Sequence, residues 1–260
     1  MGPSHGTGGD IRLVPQRSGG RTRWLAVPDP ALGAALTAAV TAVAGRVQRV
    51  LGPEVIANRV TAADPSVPSL SLEDWVDARK RFALAARSLA GRGTGLLALD
   101  VRACYASIPP STVARSLVRL GCGPRETLSG SEPSAVLANA VLARADGVLR
   151  RAGVAHLRWV DEFWISIAPG ASPSRLSATL TAALRPLGLA LAPEKARFLP
   201  GSEVPGVDGG SAPGSCIGPG YHRRSDAHPV PGLHGPHAGP SPGGGVGPGR
   251  RPARGAGGLG

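Results

Sequence analysis

Lysine is almost missing from this chain: Lys80 and Lys195 stand alone, and the other 27 of the 29 basic residues are arginine. Aromatic residues are equally scarce, at 3% of 260 positions, so Leu, Val and Ala must fill any core drawn from the 42% hydrophobic fraction. The three cysteines, Cys104, Cys122 and Cys216, lack both metal-ligand spacing and a disulfide framework, which makes a reduced, cytoplasmic setting the expectation. No apolar leader follows the Gly- and Arg-rich start, so no secretory signal is expected. The longest apolar stretch, residues 31–44, is mostly Ala, Thr and Gly. It reads as too short and too weakly apolar for a bilayer, and no membrane partner is expected. Acidic residues number only 17, leaving a formal charge of +12. Such a balance favours polyanionic partners, nucleic acid first and anionic membrane second, although a GC-rich genome also inflates arginine.

Composition divides the chain. Residues 1–27 read as a low-order N-terminus. Residues 28–93 read as a helical region: Leu32, Leu36, Val40, Val43 and Val47 recur every three or four residues after Asp29, a plausible cap. A second helix opens at Leu72-Glu73-Asp74 and places Trp75, Phe82 and Leu89 on one face. Residues 201–260 carry 19 glycines and 10 prolines without apolar periodicity, and are expected to be a disordered tail. The abrupt change after Leu199 suits a shifted reading frame as well as a genuine tail.

Between these segments, residues 94–200 show alternating periodicities. Thr94 to Val101 predicts a strand, Ser111 a helix start, and Glu132 to Arg151 a longer helix. His156 to Val160 and Phe163 to Ile167 predict a hairpin turning at Asp161-Glu162. Ser172-Pro173 starts another helix, and Leu189 to Leu191 reads as a last short strand. The order βαββαβ is the ferredoxin-like arrangement, and the fold class is α+β. Its first and third strands are central neighbours, which would bring Asp100 beside Asp161 and Glu162. Three converging carboxylates at rigid strand ends suit hard divalent cations, Mg²⁺ or Mn²⁺, and two-metal chemistry. Lys195 matters separately, because an ammonium gives up a proton where a guanidinium does not.

These segments resemble the palm of reverse transcriptases, particularly the bacterial group II intron and phage-defence type. LLALDVRACYASI is similar to the first palm motif, with Asp100 as metal ligand and Tyr105 beneath the incoming sugar. GSEPSAVLANAVL is similar to the second, with Gly130, Ser134 and Asn139 at its substrate-binding positions. RWVDEFWI stands at the aromatic-x-Asp-Asp turn, with Asp161 and Glu162 as acids, and LGLALAPEKARF places Lys195 on the family's lysine. The resemblance implies a right-hand polymerase palm over residues 94–200 with a helical fingers-like region before it. It also implies two Mg²⁺ ions, an RNA template, a DNA or RNA primer, and dNTPs as substrates.

The departures have consequences. Glu162 replaces the family's second Asp, ETLSG replaces its glycine-rich loop, and nothing after Leu199 resembles a thumb. An alternative reading is therefore a catalytically inactive palm that binds nucleic acid through its arginines. A nucleotidyl cyclase of the same fold is a third, though no Gly-Gly hairpin stands beside the acids.

Overall fold

The computed structural model describes residues 11–18, 21–64, 66, 69–120 and 132–204. It begins with β1 (Ile11–Ser18) and β2 (Arg21–Pro28), paired antiparallel from Ile11 opposite Pro28 to Ser18 opposite Arg21. This hairpin corrects the low-order expectation for residues 11–27. Ile11, Leu13, Val14, Trp24 and Val27 are strand formers that the surrounding arginines obscure in a reading by composition.

Helix α1 (Pro30–Val50) starts where Asp29 caps it: the Asp29 carboxylate accepts from the Leu32 amide at 2.7 Å, and Pro30 is free of penalty at the first helical position. Asp29→Ala should lower stability by about 1 kcal/mol in chemical denaturation. Among the described residues, α1 is the one helix long and apolar enough to cross a membrane, longer than the 31–44 stretch suggested. It uses its Val40, Val43 and Val47 stripe to pack into the main core. The expected all-helical region is then interrupted by a hairpin, β3 (Val60–Asp64) with β4 (Ser69–Leu72). These strands are short and polar, so their period-two signal is weak. Helix α2 (Trp75–Ala90) follows, capped by Asp74, which accepts from the Val76 and Asp77 amides. Phe82 and Leu89 are buried as expected, but Trp75, at the first helical position, remains 44% exposed.

The central unit runs β5 (Gly95–Asp100), α3 (Cys104–Ser107), α4 (Pro110–Arg119), α5 (Glu132–Arg151), β6 (His156–Trp159), β7 (Glu162–Ser166), α6 (Pro173–Leu184) and β8 (Arg197–Pro200). The strands order as β6-β7-β5-β8, every neighbouring pair antiparallel. First and third strands of the unit therefore lie side by side at the centre. The last strand is β8 rather than residues 189–191. Leu189 is instead buried in the core, Leu191 forms a single bridge to Val101, and Pro193 opens a tight turn that resets the chain before β8.

Strand alternation sends each sheet face to a different partner. Leu97, Leu99, Phe163 and Ile165 pack with α1, α4, α5 and α6, forming the larger core. Leu96, Ala98, Trp159 and Trp164 pack with Phe82, Ala86 and Leu89 of α2. Phe82 meets Trp159 and Trp164 edge-on, at centroid distances of 5.4 and 5.0 Å. In a chain with so few aromatics, this layer concentrates three of them.

Candidate functional site

Asp100 ends β5 and lies opposite Glu162, the first residue of β7. Glu162 is thus a strand residue, and the hairpin turn is Val160-Asp161, one position earlier than the periodicity predicts. The Asp161 carbonyl accepts from the Val101 amide at 3.1 Å, which locks the turn to the end of β5. The acids on these adjacent strand ends are therefore brought together by backbone pairing alone.

Their electrostatics follow. Burial, and next the charge of Asp100, push the Asp161 carboxyl up to about 6, and Glu162 adds to the rise. Lys195 opposes it. Its ammonium donates to Asp100 Oδ1 at 2.8 Å from a turn (Pro193–Lys195) that is docked by the Ala192 amide donating to the Asp100 carbonyl, also at 2.8 Å. Arg197 donates to Glu162 Oε1 at 2.8 Å. Arg79 of α2 lies over the Phe82 and Trp159 rings, at 5.6 and 5.2 Å, and feels the Glu162 charge. Two acids are hence paired with cations, and the third has its carboxyl pushed up to about 6.

Beneath the turn lies a buried network that the sequence did not reveal. Arg158 of β6 is 0% exposed. Its Nε and Nη2 form a fork on Asp146 of α5, with Nη2 to Oδ2 at 2.9 Å. Its Nη1 donates to Asn139 Oδ1 at 2.8 Å and to the Val160 carbonyl at 2.7 Å. Burial alone would raise the Asp146 carboxyl, but Arg158 and His156 outweigh it and hold it below the usual range. One signal was visible: Asp146 interrupts the apolar helix stripe of Leu142, Ala145 and Leu149, and a buried acid demands a buried cation. Arg158 also receives residues 54–58 at the open edge of β6. Its amide donates to the Glu54 carbonyl and its carbonyl accepts from the Ile56 amide.

Backbone strain concentrates on the same elements. Among described non-glycine residues only Asn58, Ala103 and Val160 have positive φ, at 59°, 43° and 55°. Val160 immediately precedes Asp161, and a β-branched residue there costs roughly 1–2 kcal/mol. Arg158 holds its carbonyl in place. Ala103 lies three residues past Asp100, and the Asn58 carbonyl accepts from Asn139 Nδ2 at 3.2 Å. Strain of this kind persists where surroundings over-determine it, and it clusters at functional sites.

The remaining expected residues divide. Tyr105, on α3 just past Asp100, is partly buried against the main core. Ser134 and Asn139 are buried, and Asn139 joins Arg158 to the carbonyls of Ala57 and Asn58. Gly130 lies outside the described residues. Arg59 is committed to the carbonyls of Val55, Leu51 and Gly52. Arg102 pairs with Glu194 at 2.7 Å. Cys104 is core filler whose thiol is pushed up by burial, which makes it inert as a nucleophile. Among the described residues no three His, Cys, Asp or Glu side chains are gathered as a metal-ligand group. The expected trio of Asp100, Asp161 and Glu162 is therefore not a closed cage.

No family model matches the chain, and neither does any curated protein. Among solved structures, apo telomerase from Candida tropicalis, truncated of its C-terminal domain, is similar over 74% of this chain at a TM-score of 0.43 and 14% identity. The chain spans about half, 49%, of that telomerase chain. Likeness of this size carries no functional argument.

Proposed function

We propose that the chain is a template-directed nucleotidyltransferase of the RNA-directed DNA polymerase kind. In this reading a primer 3′-hydroxyl attacks the α-phosphate of a dNTP on an RNA template, and pyrophosphate leaves. The observation that carries it is the meeting of Asp100, at the end of β5, with Asp161, in the turn pinned to that strand end, where burial and then the charge of Asp100 push the Asp161 carboxyl up to about 6. Strain at Val160 and Ala103 beside those acids supports it.

The donor set fits a hard divalent cation in part. Asp100 and Asp161 offer two carboxylates, and Mg²⁺ takes one or two with water and substrate phosphates completing its shell. Glu162, whose Oε1 accepts from Arg197 as Asp100 Oδ1 does from Lys195, is proposed as a supporting carboxylate. Bound Mg²⁺ or Mn²⁺ would supply the charge that lowers the attacking hydroxyl's pKa and stabilises leaving pyrophosphate. Lys195 holds a proton at Nζ beside Asp100 and is the group proposed to give it to pyrophosphate. Tyr105 is proposed to lie under the incoming sugar, while Arg158 and Asn139 fix the turn that carries Asp161.

Primer extension with dNTPs and Mg²⁺ tests the reading. The wild-type chain should extend, and Asp100→Ala should lose on the order of 10³-fold, the scale of losing a preorganised charge at a reacting centre. Extension unchanged in that variant would sink the mechanism. A second reading, a catalytically inactive palm that binds nucleic acid, is favoured by one observation: Lys195 and Arg197 already neutralise Asp100 and Glu162. It predicts salt-sensitive binding without extension.

A further inference from the structure

A second group of charged residues lies away from the acids. Helices α4 and α5 belong to the layer covering the sheet face opposite α2, with Val113, Leu117, Leu142 and Ala145 in the main core. Arg115 and Arg119 stand one turn apart on α4, both exposed. Arg144 of α5 comes close enough for both to act on its charge. Burial, then Arg119 and Arg115, lower its guanidinium pKa, and among the described residues no carboxylate opposes them. Arg144 Nη1 is moreover a buried atom with no hydrogen-bond partner. Arg46 reaches the end of the same helix, donating to the Leu120 carbonyl at 3.2 Å.

Such a grouping is costly as it stands. A buried donor without an acceptor costs about 1–3 kcal/mol, and like charges repel. An oxyanion removes both penalties, and the guanidinium fork is shaped for phosphate. One free phosphate carries at most about two charges. A nucleic-acid strand instead carries a charge on every nucleotide, so it can offer successive phosphates to cations set about one helical turn, roughly 5.4 Å, apart.

We propose that Arg115, Arg119 and Arg144 form a contact site for the phosphodiester backbone of a single-stranded nucleic acid. The site needs no turnover at Asp100 and Asp161 and shares with the proposed function only the class of ligand.

The test is fluorescence anisotropy of the full chain with a labelled oligouridylate, titrated across KCl concentrations. Replacing all three arginines by Gln should flatten the plot of log K against log salt by about 2, at roughly 0.7 for each phosphate no longer neutralised. The double change Arg115→Gln/Arg119→Gln touches only exposed side chains and should flatten it by about 1.4 without affecting folding. Arg87, Arg92 and Arg175, exposed elsewhere, give a control triple to Gln with the same change in charge and an unchanged slope. Equal slopes for wild type and cluster variants would overturn the proposal, as would an equal flattening in the control. Binding of phosphatidylserine vesicles that depends on the three arginines, with RNA binding indifferent to them, would assign the site to membrane and also overturn it. Asp100→Ala should leave the slope intact, so failure of the polymerase reading and failure of this site are told apart.

Discussion

Arg158→Met should cost about 3–5 kcal/mol of folding stability in chemical denaturation at neutral pH, the scale of breaking a buried ion pair. The cause is what it leaves behind. Asp146 is 1% exposed and would lose the fork that compensates its charge. Asn139 Oδ1 and the Val160 carbonyl would each lose a donor as well. The deficit should shrink with falling pH. In the wild type the Asp146 pKa is depressed, so its contribution is present above its unfolded value and lost as pH falls through the folded one. Without Arg158, burial is left to dominate and the freed carboxyl protonates earlier, relieving its own penalty. Arg158→Lys should recover little, because one ammonium cannot make the fork on Asp146 and also reach Asn139 and Val160. A double change, Arg158→Met with Asp146→Leu, should recover much of the stability, since apolar replacement of a whole buried pair is often neutral. If it does so while nucleotide incorporation stays abolished, the network's importance lies in holding the Val160-Asp161 turn. If activity returns with stability, Arg158 has no positioning role.

That network also marks where the sequence ceased to be legible. Periodicity is a local signal, and it delimited the strand ending at Asp100, the helix Glu132–Arg151 and the hairpin of β6 and β7. Asp100 and Asp161 could be put together because the strand order follows from βαββαβ connectivity. Arg158 could not be assigned, because its partners Asp146 and Asn139 lie 12 and 19 residues away on a helix whose rotation only packing determines. Glu162 fell on the wrong side of a turn by one residue, and in a strand one residue decides which face a side chain takes. On β7 it shares the face of Trp164, beside Arg197 and Arg79. That Arg59 and Arg102 are taken up by backbone carbonyls and by Glu194 was equally hidden, because such pairing leaves no local trace.

Asp161→Asn should produce a protein that is more stable and nearly inactive. Burial and the Asp100 charge raise the Asp161 pKa from 3.8 to about 6, so the folded protein binds this proton more tightly than the unfolded chain. The associated stability is fully present below the unfolded value, is lost as pH rises through about 6, and is absent at neutral pH. A shift of this size corresponds to roughly 3 kcal/mol, an upper bound for a carboxylate that retains some solvent. Asn is isosteric and uncharged, so it avoids the penalty. In EDTA at pH 7.5 the variant should exceed wild type by about 1–3 kcal/mol, and the difference should vanish near pH 4. Primer extension should fall on the order of 10³-fold over the same substitution. Millimolar Mg²⁺ supplies an internal check: if Asp161 is a ligand, the cation should stabilise wild type and narrow the gap, and it should leave Asp161→Asn nearly unmoved. Equal stability of the two proteins across pH 4 to 8 would show that Asp161 is not crowded by Asp100. The site would then have lost its electrostatic basis. Greater stability on removal of one acid is the behaviour of a residue kept for chemistry against the interest of the fold.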